Sequence, residues 1–514
     1  MNIWVSQVYI WGMFVRKKKN KSGIISIQII DKSSGRYQVI KTIGSSSDTE
    51  EIEWLYREGR KWIRNYAGQL SINFSKEEYA QEVAKSIKSI TAVGIELLIT
   101  RIYTDIGFNE IDSDILRLLV ISRISNPVSK SKTVEYLKRY HGIRLGKDQI
   151  YRYLDRLFNK HKDKIQQISY AHTLKILGGV MSVVFYDVTT LYFQINDEDE
   201  IRKRGFSKEG KHQNPQIVLG LLVSIDGYPL AFDIYEGNKF EGHTMLPVID
   251  SFKKKYNLEK LVVIADSGLL SNKNIEELQK KNYEFILGAR IKNETEAIKE
   301  EILSLKLQNG ESCIIEKGKG LKLIIGYSEK RAQKDRFNRE RGLEKLRKLL
   351  KTGKLTKANI NNRGYNKYLK MEGNIKISID EEKYKADAQW DGLKGYLTNT
   401  NLTKDEIIEN YGHLWKIEKA FRISKHDLKI RPIYHRLQQR IEAHIIINFI
   451  AYKVYKELER QLKEKKSELS PEKVIDIAKT IYQIEIKNPL NDTVQKVKLI
   501  LNDNQKYVDD LFDL

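Results

Sequence analysis

Two short, wholly apolar runs, each ending at an aspartate, constrain this chain more than any other feature. Met181–Tyr186 is followed by Asp187, and Leu261–Ala265 is followed by Asp266. Runs of this length and composition are typical of strands that are covered on both faces. A carboxylate at the carboxyl end of such a strand lies at the mouth of the sheet, although an aspartate there can also simply begin a turn. The pattern predicts an α/β unit.

The residues around these runs support that interpretation. Asp226-Gly227 lies between two strand-like runs and predicts a β-hairpin. We expect helices over Thr244–Tyr256 and from Ser271 to about Lys281, and a further strand at Phe285–Leu287. Residues 296–391 are polar, contain several short strand candidates, and interrupt the α/β pattern.

A third carboxylate, Glu418, lies on a predicted helix over about 404–429. At helical spacing it falls on a stripe of aromatic and basic residues: Tyr411, Trp415, Arg422, Lys425 and Lys429. The adjacent stripe is apolar and predicts burial against the sheet: Leu414, Ile417, Phe421 and Leu428. The alternative, pairing of Glu418 with cations of its own helix, would contribute only a few tenths of a kcal/mol.

Asp187, Asp266 and Glu418, if brought together, could hold two hard divalent cations through oxygen ligands. Mg²⁺ is the expected ion, with Mn²⁺ as a possible substitute, because Mg²⁺ combines carboxylates with waters and phosphate oxygens. Two such ions can activate a water or a 3′-hydroxyl and stabilise the leaving oxygen of a phosphodiester. The three acids therefore predict phosphoryl transfer on nucleic acid.

The formal net charge of +22 supports a polyanionic partner, most simply double-stranded DNA. The charge is concentrated, since residues 16–21 carry a net +5, residues 330–370 a net +12 and residues 416–440 a net +6. A solvated turn is the alternative interpretation of the first segment. Its lysines are otherwise candidate DNA contacts: Lys17, Lys18 and Lys19.

Composition excludes several other classes of protein. A single cysteine, Cys313, excludes a disulfide framework and a cysteine-rich zinc site, and it fits a reducing compartment. No apolar stretch reaches the length of a membrane span, so we expect no membrane association. The apolar residues 1–15 are interpreted as strand, because their basic cluster follows the run whereas in a signal peptide it precedes it.

Three segments of the sequence resemble bacterial insertion-sequence DDE transposases, in the long-chain branch of the IS-four family. They are FYDVTTLYF around Asp187, VVIADSG around Asp266 and YGHLWKIEKAFRISK around Glu418. That family carries a Y-x2-R-x3-E-x6-K signature, which Tyr411, Glu418 and Lys425 match in spacing. Leu414 stands at the arginine position, and Arg422 could supply the missing charge.

The resemblance implies an RNase-H-like fold, a mixed five-stranded sheet with helices on both faces. Asp266 and Glu418 are 152 residues apart, which is far more than one strand and helix need, so a domain must be inserted between them. The resemblance implies that this inserted domain is β-rich. We expect six regions along the chain. They are an N-terminal β-β-β-α DNA-binding domain (1–75), a helical DNA-end-binding region (76–177), the first part of the core (178–295), the basic insertion (296–391), the second part of the core (392–460) and a C-terminal helical tail (461–514).

The activity implied by the resemblance is cut-and-paste transposition. Such an enzyme binds terminal inverted repeats, cleaves DNA at the element ends and transfers the 3′-hydroxyl ends to target DNA, as a homodimer in the synaptic complex. It would be cytoplasmic and nucleoid-associated in a bacterium. In relatives an aromatic side chain near the insertion stacks on a flipped base, for which Trp390 and Tyr396 are the candidates here. A stand-alone metal-dependent nuclease and a DNA-binding repressor derived from a transposase are the alternatives.

Overall fold

The computed structural model describes residues 12–70, 84–207, 210–269, 271–353, 355–356, 359–361, 364–372, 376–487 and 493–514. These residues form two compact units, which are described separately. One unit holds the residues up to Ile90 together with Ile484–Val497, and the other holds Thr91–Gln483 together with Lys498–Leu514.

The strands, in chain order, are β1 (Met13–Lys19), β2 (Ile25–Asp31), β3 (Gln38–Ser46), β4 (Ile87–Ala92), β5 (Val183–Tyr192), β6 (Gln216–Ser224), β7 (Pro229–Glu236), β8 (Val262–Ala265), β9 (Glu284–Ala289), β10 (Ser312–Gly318), β11 (Leu321–Tyr327), β12 (Leu369–Glu372), β13 (Lys376–Ile379), β14 (Leu393–Thr398), β15 (Tyr482–Lys487) and β16 (Val494–Leu499). The helices are α1 (Thr49–Leu70), α2 (Gly94–Ile106), α3 (Asp114–Ser125), α4 (Lys130–His141), α5 (Lys147–Ile176), α6 (Met245–Tyr256), α7 (Asn272–Lys280), α8 (Glu296–Ser304), α9 (Glu329–Lys351), α10 (Glu381–Ala388), α11 (Lys404–Gly412), α12 (Trp415–His426), α13 (Gln438–Glu464), α14 (Pro471–Ala478) and α15 (Asp503–Phe512).

The first unit contains the predicted β-β-β-α arrangement. Strands β1, β2 and β3 form an antiparallel sheet, and α1 packs on it through Ile52 and Leu55 against Ile27. Helix α1 begins after Asp48, whose carboxylate accepts a hydrogen bond from the backbone N–H of Glu51 at 2.9 Å. The basic residues 16–19 lie in strand β1, so this part of the segment is extended strand and not the turn that the sequence suggested.

Strands from distant parts of the chain form a second sheet, in the order β16-β15-β4. Two predictions are corrected by it. The C-terminal segment 461–514 holds two strands as well as α14 and α15, so it is not a helical tail. Residues 87–92, within the segment expected to be helical, form strand β4. Strand β4 pairs with β15, which lies about 400 residues further along the chain, so no local pattern reveals its partner. Strands β15 and β16 are neighbours in the chain, so this cause applies to β4 alone.

The second unit is built on an eight-stranded mixed sheet, in the order β10-β11-β14-β9-β8-β5-β6-β7. Strands β5, β6 and β7 are antiparallel, with the predicted Asp226-Gly227 turn between β6 and β7. Strand β5 is parallel to β8, and β8 is parallel to β9. Beyond β9 the sheet continues antiparallel through β14, β11 and β10. The expected five strands are therefore too few.

The segment 296–391 accounts for this difference. Its strands β10 and β11 extend the central sheet by pairing with β14, so the two strands are not part of a separate domain. The remainder includes α8, the long basic helix α9, the β12-β13 hairpin and α10. The described residues of this segment are more helical than extended, and the prediction of a β-rich insertion is wrong in that respect.

Helices cover both faces of the central sheet, as predicted. On one face, α6 and α7 pack on Val184, Tyr186 and Val263. On the other face lie α2, α3, α5, α12 and α13, which share one large hydrophobic cluster with Phe185 and Ile264. The wholly buried stretch Ile445–Ile447 of α13 belongs to this second cluster. In the part of the chain that the structure describes, no helix is long and apolar enough to cross a membrane.

Candidate active site

Asp187 and Asp266 occupy equivalent positions on neighbouring parallel strands. The parallel pairing of β5 with β8 ends at Tyr186 opposite Ala265, and each aspartate is the next residue in its strand direction. Asp266 therefore follows β8, as predicted. Asp187 lies within β5 and not at its end, because β5 continues to Tyr192 along its antiparallel partner β6.

Strand alternation places both aspartates toward the same face of the sheet. Residues two apart on a strand point to the same side. Phe185 precedes Asp187 by two positions, and Ile264 likewise precedes Asp266 by two positions. Both apolar residues belong to the hydrophobic cluster that also contains Ile417 of α12. The two acids thus share the face against which α12 packs.

Glu418 lies in the first turn of α12, which packs on β5. The apolar seam predicted for this helix is confirmed, since Leu414, Ile417, Phe421 and Leu428 are all buried. Glu418 is exposed, and its charge acts on Tyr411 together with that of Asp266, which places these two acids near each other. Asp187 is half-buried and Asp266 is exposed.

The prediction of a single helix over 404–429 is wrong, because the segment forms two helices. Between α11 and α12 the backbone tightens: the N–H of Lys416 donates to the carbonyl of His413 at 2.9 Å, and that of Ile417 to the carbonyl of Leu414 at 3.1 Å. Three-residue bonding of this kind marks a local 3₁₀ turn, and Gly412 before it is a poor helix former. Tyr411 consequently lies on α11, apart from the helix that carries Glu418.

Tyr411 is buried, and its hydroxyl donates a hydrogen bond to Oδ1 of Asp266 at 3.2 Å. Burial raises the pKa of the Tyr411 phenol, and the negative charges of Asp266 and Glu418 raise it further. The hydroxyl therefore stays protonated and acts as a donor. The sequence named Tyr411 as a DNA contact; that role stays a prediction, while the structure places the residue as a support for Asp266.

Lys394 is a site residue that the sequence reasoning missed. Its ammonium lies 4.4 Å from the ring centre of Tyr411 and 5.3 Å from that of Tyr396. Burial and the positive charge of Arg331 lower the pKa of Lys394, while the charges of Asp266 and Glu418 act in the opposite direction. The signal was present in the strand motif KGYLT, because Lys394 and Tyr396 are two residues apart and share a face of β14.

No three His, Cys, Asp or Glu side chains among the described residues are arranged to hold a metal ion. The three acids lie on one face without forming a closed cluster of ligands. Their chemistry nevertheless fits a hard divalent cation, because all three offer carboxylate oxygens and each comes from a different element. Without any metal ion, the positive charge of Lys394 already interacts with two of these acids, Asp266 and Glu418.

A cleft of about 690 Å³ begins beside the acids, at Ser267, and extends along α9 and α10. Its lining is rich in cations and aromatic rings: Arg290, Lys292, Arg331, Arg339, Lys367, Tyr365 and Trp390. Asp387 holds one wall together through Lys292, Tyr368 and Lys367, the last at 2.7 Å. These interactions lower the pKa of Asp387 despite its partial burial, which acts to raise it.

The other residues named from the sequence lie at varied distances from the acids. Trp390 lines the cleft and is half-buried, whereas Tyr396 is buried edge-to-face against Tyr411 with ring centres 4.8 Å apart. Arg422 is exposed and Lys425 is half-buried on α12, and Lys429 is exposed beyond its end. In the first unit, Lys17 pairs with Glu53 and lies 4.9 Å from the ring centre of Tyr56, while Lys18 and Lys19 are exposed.

The fold and the site define an α/β protein with two carboxylates on one face of a mixed sheet, a third on the helix packed against that face, and a half-buried lysine near them. A family model described as the transposase DDE domain matches residues 178–454, which is more than half of the chain. The chain therefore belongs to the DDE transposase family, and it is an enzyme of the DNA transposase and endonuclease class.

Further comparisons gave weaker likenesses. No curated protein matches the sequence. A piggyBac transposase synaptic complex with hairpin DNA aligns with a TM-score of 0.38 and 10% identity, covering 70% of this chain and 68% of that chain. A Mos1 transposase paired-end complex with the left transposon end aligns with a TM-score of 0.16 and 10% identity, covering 34% and 58%. At these TM-scores neither likeness contributes to the inferences below.

Proposed function

We propose that Asp187, Asp266 and Glu418 are the catalytic acids of this transposase. The observation that carries the proposal is the shared register of the two aspartates, directly beyond Tyr186 and Ala265, on the face where α12 presents Glu418. The strand order β7-β6-β5-β8-β9, antiparallel on one side of β5 and parallel on the other, supports an RNase-H-like core. Strands β14, β11 and β10 then extend that core.

The three carboxylates are the groups that would hold divalent cations, most simply two Mg²⁺ ions, which Mn²⁺ could replace. Such ions would supply Lewis-acid activation of a water or 3′-hydroxyl and of the leaving oxygen of a phosphodiester. DDE transposases in general use divalent metals for this purpose. The oxygen-only ligand set of this site supports the assignment.

The chain's own residues prepare the site. Tyr411 donates to Asp266 and restricts its orientation, leaving the other oxygen of the carboxylate available. Lys394 offsets the charge of Asp266 and Glu418. Arg422, Lys425 and Lys429 extend positive charge from the acids along α12 and beyond it, where they can contact DNA phosphates.

Of the two aromatic residues named from the sequence, Trp390 is the more accessible, since it is half-buried and lines the cleft that opens at Ser267. Tyr396 is buried against Tyr411 and would have to move to meet a base. We therefore favour Trp390 over Tyr396 for stacking on a flipped base, an interaction that contributes about 1–3 kcal/mol.

For the whole chain we propose cut-and-paste transposition of a bacterial insertion sequence of the IS-four family. Tyr411, Glu418 and Lys425 support this placement by their spacing. The enzyme would bind terminal inverted repeats, with Lys17, Lys18 and Lys19 of β1 among the DNA contacts. Pairing of two ends implies a homodimer in the synaptic complex. A cytoplasmic, nucleoid-associated location follows from this function.

The test is an in vitro reaction of the full-length protein with DNA that carries the sequences flanking its reading frame. We expect Mg²⁺-dependent cleavage at the element end and a joined product with target DNA. Asp187→Asn, Asp266→Asn and Glu418→Gln should each reduce both steps by at least about 10³-fold, because each removes several kcal/mol of transition-state stabilisation. Binding to the DNA end should persist in all three variants.

Glu409→Gln is the matched control, since Glu409 is an exposed acid of α11 and its loss should leave the reaction unchanged. Full activity in any one of the three variants would overturn the assignment of that acid. Cleavage without joined product would identify a nuclease instead of a transposase.

A further inference from the structure

A second cavity, distinct from the proposed catalytic face, lies within the same unit near the start of α4. It has a volume of about 610 Å³ and is bounded by residues 127–132, Tyr151 and residues 429–435. The charged and titratable side chains that line it are Arg123, Lys130, Lys132, Lys429, Arg431, His435 and His444. No acidic residue is among the described lining residues.

Two of these cations are deeply buried. Arg123 is 5% exposed and Lys130 is 4% exposed. Burial lowers the pKa of Arg123 to about 10, and burial together with the charge of Arg123 lowers that of Lys130. Burying like charges side by side without a counter-ion costs free energy, so a bound anion would stabilise this arrangement.

The protein leaves donors of both residues unused. Within the described residues, Nε of Arg123 has no hydrogen-bond partner, although its Nη1 donates to the carbonyls of Leu428 and Lys429 at 3.4 and 3.3 Å. The ammonium of Lys130 forms no hydrogen bond or ion pair within that same part of the chain. Asp155, whose charge acts on His435, is engaged by Arg440 through two bonds of 2.5 and 2.8 Å.

The two histidines of the cavity, His435 and His444, are neutral and add no charge to it. Its positive charge therefore comes from the arginine and lysine side chains. Nε2 of His444 lies 2.8 Å from the carbonyl of Ile430 and must donate to it, while Nδ1 lies 3.5 Å from the guanidinium of Arg123 and must accept. This hydrogen bonding requires neutral His444. Burial lowers the pKa of His435 to about 4, with Lys130 and Arg123 acting in the same direction.

The N-terminus of α4 also faces the cavity, through Ser129, Lys130, Ser131 and Lys132. The Ser129 side chain accepts from the N–H of Lys132 at 3.4 Å, so the N–H groups of Lys130 and Ser131, together with the helix dipole, are what favour a negative charge at this end. The 12-residue helix is long enough for this effect, and it acts on the same space as the two buried cations.

We infer that this cavity binds a phosphate group, and specifically the terminal phosphate of a DNA strand. The choice of a DNA strand as the source rests on the proposed function, whereas the anion site itself rests on Arg123, Lys130 and the helix N-terminus. A terminal phosphate carries about −1.5 to −2 charges at neutral pH, which matches the two buried cations. Arg123 and Lys130 are themselves almost fully buried, so a strand end, which is slimmer than intact duplex, is the group that we expect to reach them.

The aromatic rings at the cavity are consistent with a nucleotide beyond the phosphate. Tyr434 is 68% exposed and Tyr151 is half-buried, and both line the cavity. An exposed tyrosine ring beside a phosphate site can stack on the adjoining base. The volume lies within the range of about 300–1,000 Å³ that is typical of small-ligand pockets.

The experiment measures thermal stability and binding with a chelator present, so that no cleavage occurs. The probes are inorganic phosphate, a deoxynucleoside 5′-monophosphate, and one single-stranded oligonucleotide with either a 5′-phosphate or a 5′-hydroxyl. We expect phosphate to raise the melting temperature of the wild-type chain, and the 5′-phosphorylated oligonucleotide to bind more tightly than its 5′-hydroxyl form.

Lys130→Met should weaken binding of all phosphate-bearing probes at least about tenfold, as expected for a charge-assisted hydrogen bond. It should also raise the melting temperature without ligand, because it removes an uncompensated buried charge. Lys130→Arg should retain binding. Lys138→Met, at an exposed position on the same helix, should match the wild type in every measurement.

Absence of any shift with phosphate, or equal binding by Lys130→Met and the wild type, would overturn the anion site. Equal affinity for the 5′-phosphate and 5′-hydroxyl oligonucleotides, with free phosphate or the mononucleotide still bound, would overturn the DNA strand as the source. Neither outcome depends on cleavage. The activities of the Asp187, Asp266 and Glu418 variants test the proposed function, so the anion site and the proposed function can fail independently.

Discussion

The hydroxyl of Tyr411 donates a hydrogen bond to Asp266 across 145 positions of sequence, at 3.2 Å. Helix α11 carries Tyr411 and packs on β8, β9 and β10, whereas Asp266 directly follows β8. The bond therefore ties the orientation of one acid to the docking of a helix on the sheet. Lys394 lies over the same tyrosine ring, so that one aromatic side chain contacts both an acid and a cation.

Tyr411→Phe tests this positioning role. It removes the donor but keeps the ring, so the free energy of unfolding should fall by no more than about 1 kcal/mol. The single-turnover cleavage rate should fall about 10- to 100-fold, because a misplaced carboxylate costs rate more than stability. DNA-end affinity should not change. Tyr396→Phe is the control, since the Tyr396 ring adjoins Tyr411 but its hydroxyl does not bond Asp266.

Lys394→Met should reduce the cleavage rate about 10- to 100-fold while DNA-end binding is retained. The half-buried ammonium interacts electrostatically with Asp266 and Glu418, and a rate loss of this size corresponds to about 1.4–2.7 kcal/mol of transition-state stabilisation. Lys394→Arg should keep most of the activity, and Lys306→Met, at an exposed lysine, should keep all of it. A Lys394→Met enzyme with wild-type cleavage kinetics would show that the lysine only fills space.

Lys425→Ala should weaken cleavage more than it weakens folding. Lys425 is half-buried on the helix that carries Glu418, two turns further along, and its position matches the lysine of the family signature. Cleavage rates and urea unfolding of the same preparation measure the two effects. His426→Ala, at the next and exposed position, is the control. A fall in thermal stability alone would mean that Lys425 is structural.

Asp387→Asn should destabilise the wall of the cleft that contains Trp390. Lys292, Lys367 and Tyr368 all bond the carboxylate, so the free energy of unfolding at pH 7 should fall by about 3 kcal/mol. Because these bonds lower the pKa of Asp387, its contribution is complete above the ordinary aspartate pKa of about 3.9 and is lost as pH falls through the lowered value.

Urea unfolding at several pH values measures this dependence. The difference between the wild type and Asp387→Asn should be largest near neutral pH and should shrink below about pH 4. Asp197→Asn, at an exposed aspartate, should show no such difference at any pH. A gap of constant size down to pH 2 would mean that the aspartate charge is not what stabilises the wall.

Much of the central sheet could be predicted because its signals are local. The apolar runs before Asp187 and Asp266 form β5 and β8, the Asp226-Gly227 turn joins β6 to β7, and Ser271 caps α7 through the N–H of Asn274 at 3.1 Å. The apolar seam of α12 follows from helical periodicity alone. Each of these features depends on a few consecutive residues.

The errors have equally physical causes. Periodicity extended one helix through Gly412–Leu414, where a few three-residue hydrogen bonds interrupt it, so Tyr411 was placed beside Glu418. The family resemblance implies five strands and a separate insertion, whereas β14 pairs with β9 and β11 with β14, which joins β10 and β11 to the same sheet. Pairing between distant strands leaves no mark on local composition.

The amino-acid sequence by itself determined which acids follow the buried apolar runs, which helix face is buried and where positive charge concentrates, since these follow from short-range pattern and composition. Only the tertiary structure decided that Tyr411 supports Asp266, that Lys394 lies near the acids, and that Arg123 and Lys130 line one cavity with no acid among its described lining residues. Those relationships depend on strand register and helix docking, which bring together residues that lie far apart in the sequence.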